Sequence, residues 1–172
     1  MRDPEQEAFL GLGANLDDPV ARLAEAVDRL RRVVRVVSVS AVYRSEPVGY
    51  RDQPDFFNLV CRVRTELPPL DLLRATRGIE EAMGRTRTFR DAPRRIDIDL
   101  LAYGRVVLDT PELVLPHPRM ARRAFVLVPL AEVAPEWRHP VRGETARELL
   151  ERGEGLERIE WWGVLPAPAP EP

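Results

Sequence analysis

The stretch Arg94-Arg95-Ile96-Asp97-Ile98-Asp99-Leu100-Leu101 alternates apolar and acidic side chains, which is the pattern of a β-strand with one buried face. Successive side chains of a strand leave by opposite faces of the sheet. Asp97 and Asp99 should therefore project together from one face, while the apolar residues between them pack into a core. Two neighbouring carboxylates repel each other unless a cation lies against them. Mg²⁺ suits this pair, because it binds hard oxygen ligands and commonly joins one or two carboxylates to substrate phosphates.

The segments around this strand are rich in groups that bind phosphate. Arginines and a histidine precede and follow it: Arg85, Arg87, Arg90, Arg94, Arg95, His117, Arg119, Arg122 and Arg123. A simpler interpretation remains open, in which Asp97 and Asp99 form the solvated face of an edge strand and pair with nearby arginines. The density of arginine favours a site for a phosphorylated ligand.

The length and composition indicate one globular domain. At 172 residues the chain can bury one substantial core, and we expect a single domain over residues 1–165. The Pro- and Ala-rich residues 166–172 are expected to form a disordered tail.

Charge and cysteine content limit the expected partners. The 26 basic and 28 acidic residues give a formal net charge of −2, so the chain lacks the global positive field that nonspecific nucleic-acid binding requires. No apolar run approaches the length needed to span a bilayer. Cys61 is the single cysteine and cannot form an internal disulfide, which fits a reducing cytoplasm. We expect a cytoplasmic monomer that binds neither nucleic acid nor membranes.

Hydrophobic periodicity predicts the order strand, helix, strand, strand, helix, strand. The predicted elements are a strand over residues 7–13 ended by its glycines, a helix capped by Asp18-Pro19, strands over 33–45 and 57–66, a helix over 70–83 stopped by Gly84, and the Asp97 strand. This order is the βαββαβ, or ferredoxin-like, succession. The predicted fold class is α+β, with a mostly antiparallel sheet, both helices on one face and the other face available. A helical stretch near 122–133 and a strand near 156–162 would be extra C-terminal elements.

Two long connections are predicted to be binding loops. Residues 46–55 and the arginine-rich residues 85–94 are long for ordered connections, and such loops more often bind ligands than serve as spacers. We expect the loops over 46–55 and 85–92 to close over bound substrates, because transfer reactions exclude water.

Four ordered blocks carry a family resemblance. They are Tyr43-Arg44-Ser45-Glu46-Pro47-Val48-Gly49, Asp52-Gln53-Pro54-Asp55-Phe56-Phe57-Asn58, Pro93-Arg94-Arg95-Ile96-Asp97-Ile98-Asp99-Leu100 and Leu115-Pro116-His117-Pro118-Arg119-Met120. With these blocks the chain resembles the 6-hydroxymethyl-7,8-dihydropterin pyrophosphokinase family of folate biosynthesis. The chain departs from the family pattern at Ala14, Glu46 and Phe56, where the family often has Ser, Pro and Tyr. Its arginine loop is about one residue shorter and lacks an expected tryptophan.

The resemblance implies a reaction and a set of ATP contacts. The family transfers pyrophosphate from ATP to the pterin hydroxymethyl group and releases AMP. By resemblance, Asp97 and Asp99 hold two Mg²⁺ ions, and Arg85 and Arg94 are the catalytic-loop arginines. The resemblance also assigns ATP binding to Glu80, Ile98, His117 and Arg123. A site for two metal ions is consistent with the acidic pair, since two metals stabilise both the entering and the leaving oxygen of such a transfer.

The resemblance also implies a pterin site. A flat heterocycle with a hydrogen-bonding edge needs aromatic faces and amide-like groups in its plane. Phe56 and Phe125 would supply the faces. The edge would be bound by Asn58, Ser45, and the backbone of Pro47 and Val48.

Two other functions fit the residues less well. Paired aspartates on such a strand also suit two-metal nucleotidyl transfer or phosphodiester cleavage, and a noncatalytic regulatory module of the same fold would bind ligand without releasing AMP. P-loop kinase chemistry is excluded, because the chain has no Gly-x-x-x-x-Gly-Lys motif and no lysine.

Overall fold

The computed structural model describes residues 4–47, 49, 51–84, 96–153 and 156–166. Its first half contains β1 (Gln6–Ala14), α1 (Pro19–Leu30), β2 (Arg35–Val39), β3 (Val42–Ser45), β4 (Phe56–Thr65), α2 (Pro69–Ala82) and β5 (Asp97–Tyr103). The second half contains β6 (Leu108–Asp109), β7 (Val114–Leu115), a 3₁₀ turn (Met120–Arg122), α3 (Ala124–Val133), α4 (Ala146–Arg152) and β8 (Ile159–Gly163). No helix among these described ranges is both long and apolar enough to cross a bilayer.

The main sheet has the order β5-β1-β4-β3-β8, and β2 also pairs with β4. Every neighbouring pair is antiparallel. With β2 and β3 together occupying the position of the second strand, this is the ferredoxin-like order, so the α+β prediction is confirmed. β8 extends the sheet beyond β3.

The two helix-forming segments begin and end where the sequence predicts. The Asp18 side chain accepts a hydrogen bond from Ala21 N at 3.4 Å, and Pro19 occupies the first turn of α1. Gly84 follows α2 with a φ of 81°, a conformation that glycine adopts without steric cost.

The predicted strand over 33–45 is interrupted in its middle. β2 ends at Val39 and β3 begins at Val42. The buried Ser40 hydroxyl donates to Ala41 O at 2.8 Å and accepts from Val60 N at 2.9 Å, so its side chain takes over strand hydrogen bonding at the break. Propensity for strand is strong on both sides, which is why periodicity alone predicts one continuous strand.

Apolar clusters lie on both faces of the sheet. One cluster joins α1 and α2 to the face that carries Leu10, Leu59 and Ile98. The second joins α3 and neighbouring residues to Phe9 and Val60 on the opposite face. The expectation that this second face is left available is therefore only partly right, because the apolar helix α3 covers part of it. The predicted site residues Asp97, Asp99, Asn58 and Ser45 lie on the remaining part.

Candidate active site

A row of side chains crosses the second face of the sheet. In the strand register Asp97 lies opposite Gly13, Gly13 opposite Asn58, and Asn58 opposite Tyr43. Residues directly opposite each other in an antiparallel pair point to the same face. Asp97 and Asn58 are two strand spacings apart, or roughly 10 Å. A ligand lying across Gly13 can thus contact both.

The acidic pair has the arrangement that the sequence predicts. Asp99 lies opposite Gly11, one row from Asp97, and both aspartates are half-buried while Ile98 and Leu100 are buried on the other face. The space that a Cβ atom would occupy at these glycines is lined by the Leu101 side chain at Gly11 and by Asn58 at Gly13. No group of three or more His, Cys, Asp or Glu residues in the described part of the chain is arranged to hold a metal. Mg²⁺ is commonly bound by one or two protein carboxylates, with substrate phosphate oxygens as further ligands, so a pair of aspartates is a suitable Mg²⁺ site.

Gly13 is required by close packing rather than by its backbone angles. A Cβ atom added to Gly13 would lie 2.9 Å from Asn58 Oδ1, closer than real Cβ contacts. Asn58 cannot move away freely, because it is only 5% exposed and its Nδ2 donates to Ser45 Oγ at 2.9 Å. Glycine here therefore lets Asn58 and Ser45 form a fixed polar pair in the sheet face.

Two phenylalanines lie on the same side of the sheet as this polar pair. Phe56 lies opposite Ser45 in the register and is half-buried. Phe125 lies in the first turn of α3, is half-buried, and packs against the second apolar cluster. The guanidinium carbon of Arg123 lies 5.2 Å from the centroid of the Phe125 ring. Aromatic faces and hydrogen-bonding groups thus occur on the same side of the sheet, as a planar heterocycle requires.

His117 is held as a neutral hydrogen-bond donor. Its backbone N–H donates to Leu101 O at 2.8 Å, which ties the segment to β5. Its Nδ1 accepts from Arg119 N at 3.2 Å, so the proton of the neutral ring lies on Nε2. Burial, with the nearby Arg123 and Arg119, lowers the pKa of His117 to about 4, although Asp97 opposes the shift. Nε2–H is therefore a donor at neutral pH.

Arg123 lies within electrostatic reach of the acidic pair. Burial lowers the pKa of its guanidinium, and Asp99 and Asp97 counteract that shift. The side chain remains charged at neutral pH, since an arginine pKa lies far above 7. Positive charge from Arg123 and negative charge from the aspartates thus meet at one end of the sheet face.

Glu80 is a buried side chain at the edge of the sheet. It is 3% exposed, and its Oε2 accepts from Ile98 N at 3.0 Å. Among the described strands β5 is the outer one, so this N–H lies on the side where the described residues supply no strand partner. Glu80 therefore fixes the strand that carries the acidic pair, which sequence reasoning did not predict. The assignments of Glu80 and Ile98 to ATP stay predictions.

Some of the predicted site residues lie outside the described part of the chain. These are Arg85, Arg94 and Val48. Pro47 is described and half-buried just after β3.

A cavity of about 490 Å³ lies elsewhere, at the start of α1. Among the residues that the structure describes, no predicted ligand-binding residue lines it, and Arg44 and Phe57 point to the face opposite Ser45 and Phe56. Its lining residues are Asn15, Pro19, Arg44, Gln53, Pro54, Asp55 and Phe57. We do not assign the predicted chemistry to this cavity.

Sequence reasoning missed the role of the glycines of β1 and of Glu132. Gly11 and Gly13 were expected to end β1, but the strand continues through Ala14. Gly11 and Gly13 are two residues apart, as Asp97 and Asp99 are. This shared spacing could have indicated that the glycines lie opposite the aspartates in the sheet. Glu132 of α3 accepts from Tyr43 OH at 2.7 Å and Ala41 N at 2.9 Å, which fixes α3 over β3. No local pattern marks that contact.

Comparison with known proteins agrees with the resemblance. Residues 9–135 match the family model described as 7,8-dihydro-6-hydroxymethylpterin-pyrophosphokinase. The chain is 48% identical over 157 residues to the 2-amino-4-hydroxy-6-hydroxymethyldihydropteridine pyrophosphokinase of Methylorubrum extorquens, covering 89% of this chain and 98% of the relative. The protein of the same name from Pseudomonas aeruginosa is 44% identical over 158 residues, covering 90% of this chain and 97% of the relative.

A solved structure shares the fold. The crystal structure of Plasmodium falciparum HPPK-DHPS, wild type with pterin and p-hydroxybenzoate, superposes with a TM-score of 0.71 at 18% identity. The match covers 89% of this chain and 42% of that chain, so this chain spans less than half of its length. The family-model match and the full-length relatives confirm the family predicted from the four sequence blocks. The chain belongs to the 7,8-dihydro-6-hydroxymethylpterin-pyrophosphokinase family.

Proposed function

We propose that this protein transfers pyrophosphate from ATP to the hydroxymethyl group of 6-hydroxymethyl-7,8-dihydropterin, releasing AMP and the pterin pyrophosphate, in folate biosynthesis. The observation that carries the proposal is the row that joins Asp97, Gly13 and Asn58 on one face of the sheet. It brings the Asp97 carboxylate within roughly 10 Å of the Asn58 amide, a distance that a pterin and its hydroxymethyl arm can bridge.

The pterin is bound at the Asn58 end of this row. Its ring stacks between Phe56 and Phe125, and its hydrogen-bonding edge meets Asn58 and Ser45 together with backbone groups of Pro47 and Val48. Support comes from the buried hydrogen bond between Asn58 and Ser45, which orients the amide before the ligand arrives. A preformed polar pair loses little entropy on binding.

ATP is bound at the acidic end. Asp97 and Asp99 would hold the two Mg²⁺ ions that the reaction requires. When bound, the ions neutralise phosphate charge and lower the pKa of the attacking pterin hydroxyl. The His117 Nε2–H donates to a phosphate oxygen, and Arg123 adds a fixed positive charge. Arg85 and Arg94 act on the same phosphates, and Glu80 and Ile98 contribute to the nucleotide side.

The chain's own residues act mainly through position and charge. Phosphoryl-type transfer requires little covalent chemistry from the protein, so catalysis depends on holding the hydroxyl in line with the β-phosphorus and stabilising charge that develops on the leaving AMP. We expect the loops over 46–55 and 85–92 to close over both substrates and exclude water; residues 48, 50 and 85–92 lie outside the described part of the chain.

Three further features belong to the proposal. The chain acts as one domain over residues 1–165 followed by a short tail over 166–172. It is a monomer with no nucleic-acid or membrane partner. It works in the cytoplasm, which the single buried thiol of Cys61 supports.

Product analysis tests the reaction. The protein is incubated with ATP, Mg²⁺ and 6-hydroxymethyl-7,8-dihydropterin, and the nucleotides are separated by chromatography. AMP formed in equal amount to pterin pyrophosphate is expected, because only attack on the β-phosphorus yields that pair. Release of ADP would indicate ordinary kinase chemistry, release of pyrophosphate would indicate nucleotidyl transfer, and no turnover would indicate a binding module. Each of these three results would refute the proposal.

A further inference from the structure

The first turn of α3 is only weakly held by its own residues. Arg123 stands at the N-cap but makes no side-chain capping hydrogen bond. The first backbone N–H groups of any helix have no partner within the helix. Pro129 lies inside α3 and has no N–H, so the helix bond that would end on the carbonyl of Phe125 is missing. Phe125 therefore depends on contacts from outside the helix for its position.

A carboxylate from the C-terminal segment supplies such a contact. Glu157 Oε1 accepts from Phe125 N at 2.8 Å, although the two residues are 32 positions apart. A carboxylate at a helix N-terminus also interacts favourably with the helix dipole. Glu157 thus takes the capping role that a residue at the N-cap usually performs.

The segment that carries Glu157 is itself fixed to the sheet. Two residues later the chain enters β8, where Ile159 lies opposite Ser45 in the register. Glu157 therefore links the strand that carries Ser45 to the helix that carries Phe125. The family-model match ends at residue 135, so Glu157 lies outside the matched residues while Phe125 and Ser45 lie within them.

We propose that Glu157 is a positioning residue for the pterin site, which it serves by capping α3 and holding the Phe125 ring in its stacking position. The inference rests on the proposed role of Phe125 in pterin binding. Glu157 acts through the Phe125 backbone, and its carboxylate also interacts electrostatically with the neighbouring Arg123 guanidinium. For this capping role, the hydrogen-bond acceptor oxygen of Glu157 matters more than its negative charge.

Pterin binding to the full-length protein, in the presence of Mg²⁺ and a nonhydrolysable ATP analogue, tests this role. Glu157→Ala should raise the pterin dissociation constant about five-fold, the factor that a typical helix cap contributes. Glu157→Gln keeps an acceptor oxygen and should stay within about two-fold of the parent. Glu157→Asp keeps the charge but is one methylene shorter, so it should weaken binding like alanine. Glu160→Ala is the matched control, because Glu160 is an exposed glutamate of the same segment.

A double-mutant comparison separates positioning from general stability. In a Phe125→Leu background, Glu157→Ala should cause no further loss of pterin affinity, because the ring that it positions is gone. An equal loss in both backgrounds, or an unchanged affinity in Glu157→Ala alone, would overturn the inference. A loss in Glu157→Gln as large as in Glu157→Ala would also overturn it.

Amide hydrogen exchange distinguishes failure of the inference from failure of the proposed pterin site. Exchange of the Phe125 amide should accelerate in Glu157→Ala and remain slow in Glu157→Gln, whatever ligand the site binds. If Phe125→Leu leaves pterin affinity unchanged, the proposed role of Phe125 is wrong and the positioning role falls with it. Unchanged exchange at Phe125 in Glu157→Ala would instead refute the cap itself.

Discussion

The substitution Gly13→Ala tests the close packing at the centre of the proposed site. A Cβ atom at this position would lie 2.9 Å from Asn58 Oδ1, so either the amide or the strand must shift. The strand is held by β4 on one side and β5 on the other, which makes the Asn58 side chain the part that moves. Rotation of Asn58 breaks its 2.9 Å hydrogen bond to Ser45 in a buried environment.

The size of the effect follows from that hydrogen bond. Leaving a buried polar group without its partner costs about 1–3 kcal/mol, so the free energy of unfolding should fall by that amount. The displaced amide also no longer matches the pterin edge. Loss of one such contact, worth about 1.4 kcal/mol, should raise the pterin dissociation constant about ten-fold.

The assay combines chemical unfolding with pterin titration in the presence of Mg²⁺ and an ATP analogue. Gly11→Ala is the matched control, because its added Cβ would meet the end of the Leu101 side chain at 3.3 Å and no part of Asn58. Pterin affinity should therefore change less in Gly11→Ala than in Gly13→Ala. Unchanged pterin affinity in a destabilised Gly13→Ala protein would refute the role of Asn58. Unchanged stability as well would refute the packing argument.

Three further outcomes are expected. Gly78→Ala should raise the free energy of unfolding by up to about 1 kcal/mol without changing turnover, because alanine favours a helix more than glycine does. This exposed position inside α2 has no described atom within 4 Å of an added Cβ, so lower stability in urea unfolding would contradict the prediction. Glu80→Ala should destabilise the protein by about 1–3 kcal/mol, because it removes the acceptor for Ile98 N. Glu80→Gln keeps an acceptor oxygen and should retain most of the stability; equal losses of the two variants in thermal unfolding would show that this hydrogen bond is unimportant. The metal-free protein should lose stability as pH falls from about 6.5 to about 4. In this range His117 binds a proton in the unfolded state but stays neutral in the folded state, where its pKa is lower. At pH 5 the loss in the free energy of unfolding is about 2 kcal/mol relative to neutral pH. In EDTA, His117→Gln should lose about that much less stability over the same range; identical acid sensitivity of the two proteins would contradict the lowered pKa of His117.

Much of the fold could be predicted because local patterns and tertiary packing agree. Alternation in β4 and β5 predicts strands with one apolar face, and the structure buries Leu59 and Ile98 on that face. The common direction of Asp97 and Asp99 follows from the two-residue period alone. Asp18-Pro19 and Gly84 act locally, so their effects on helix ends were also predictable.

The remaining features depend on contacts between residues distant in sequence. The covering of the second face by α3 depends on Glu132 bonding to Tyr43, 89 positions away. The burial of Glu80 depends on its contact with the outer strand, and the cap on α3 comes from Glu157. A charged residue in a helix gives no local sign of such a partner, because the same residue type is usually solvated. Pairing register, which places Gly13 between Asp97 and Asn58, becomes visible only when the sheet is assembled.

Turnover of Asp97→Asn and Asp99→Asn tests whether the acidic pair binds the Mg²⁺ that the transfer requires. Asparagine keeps the size of aspartate but removes the charge that binds Mg²⁺, so the fold should survive. AMP release from ATP and 6-hydroxymethyl-7,8-dihydropterin should fall to background in both variants, while unfolding shows intact folded protein. Full AMP release by either variant at ordinary magnesium concentration would show that the pair is not the metal site.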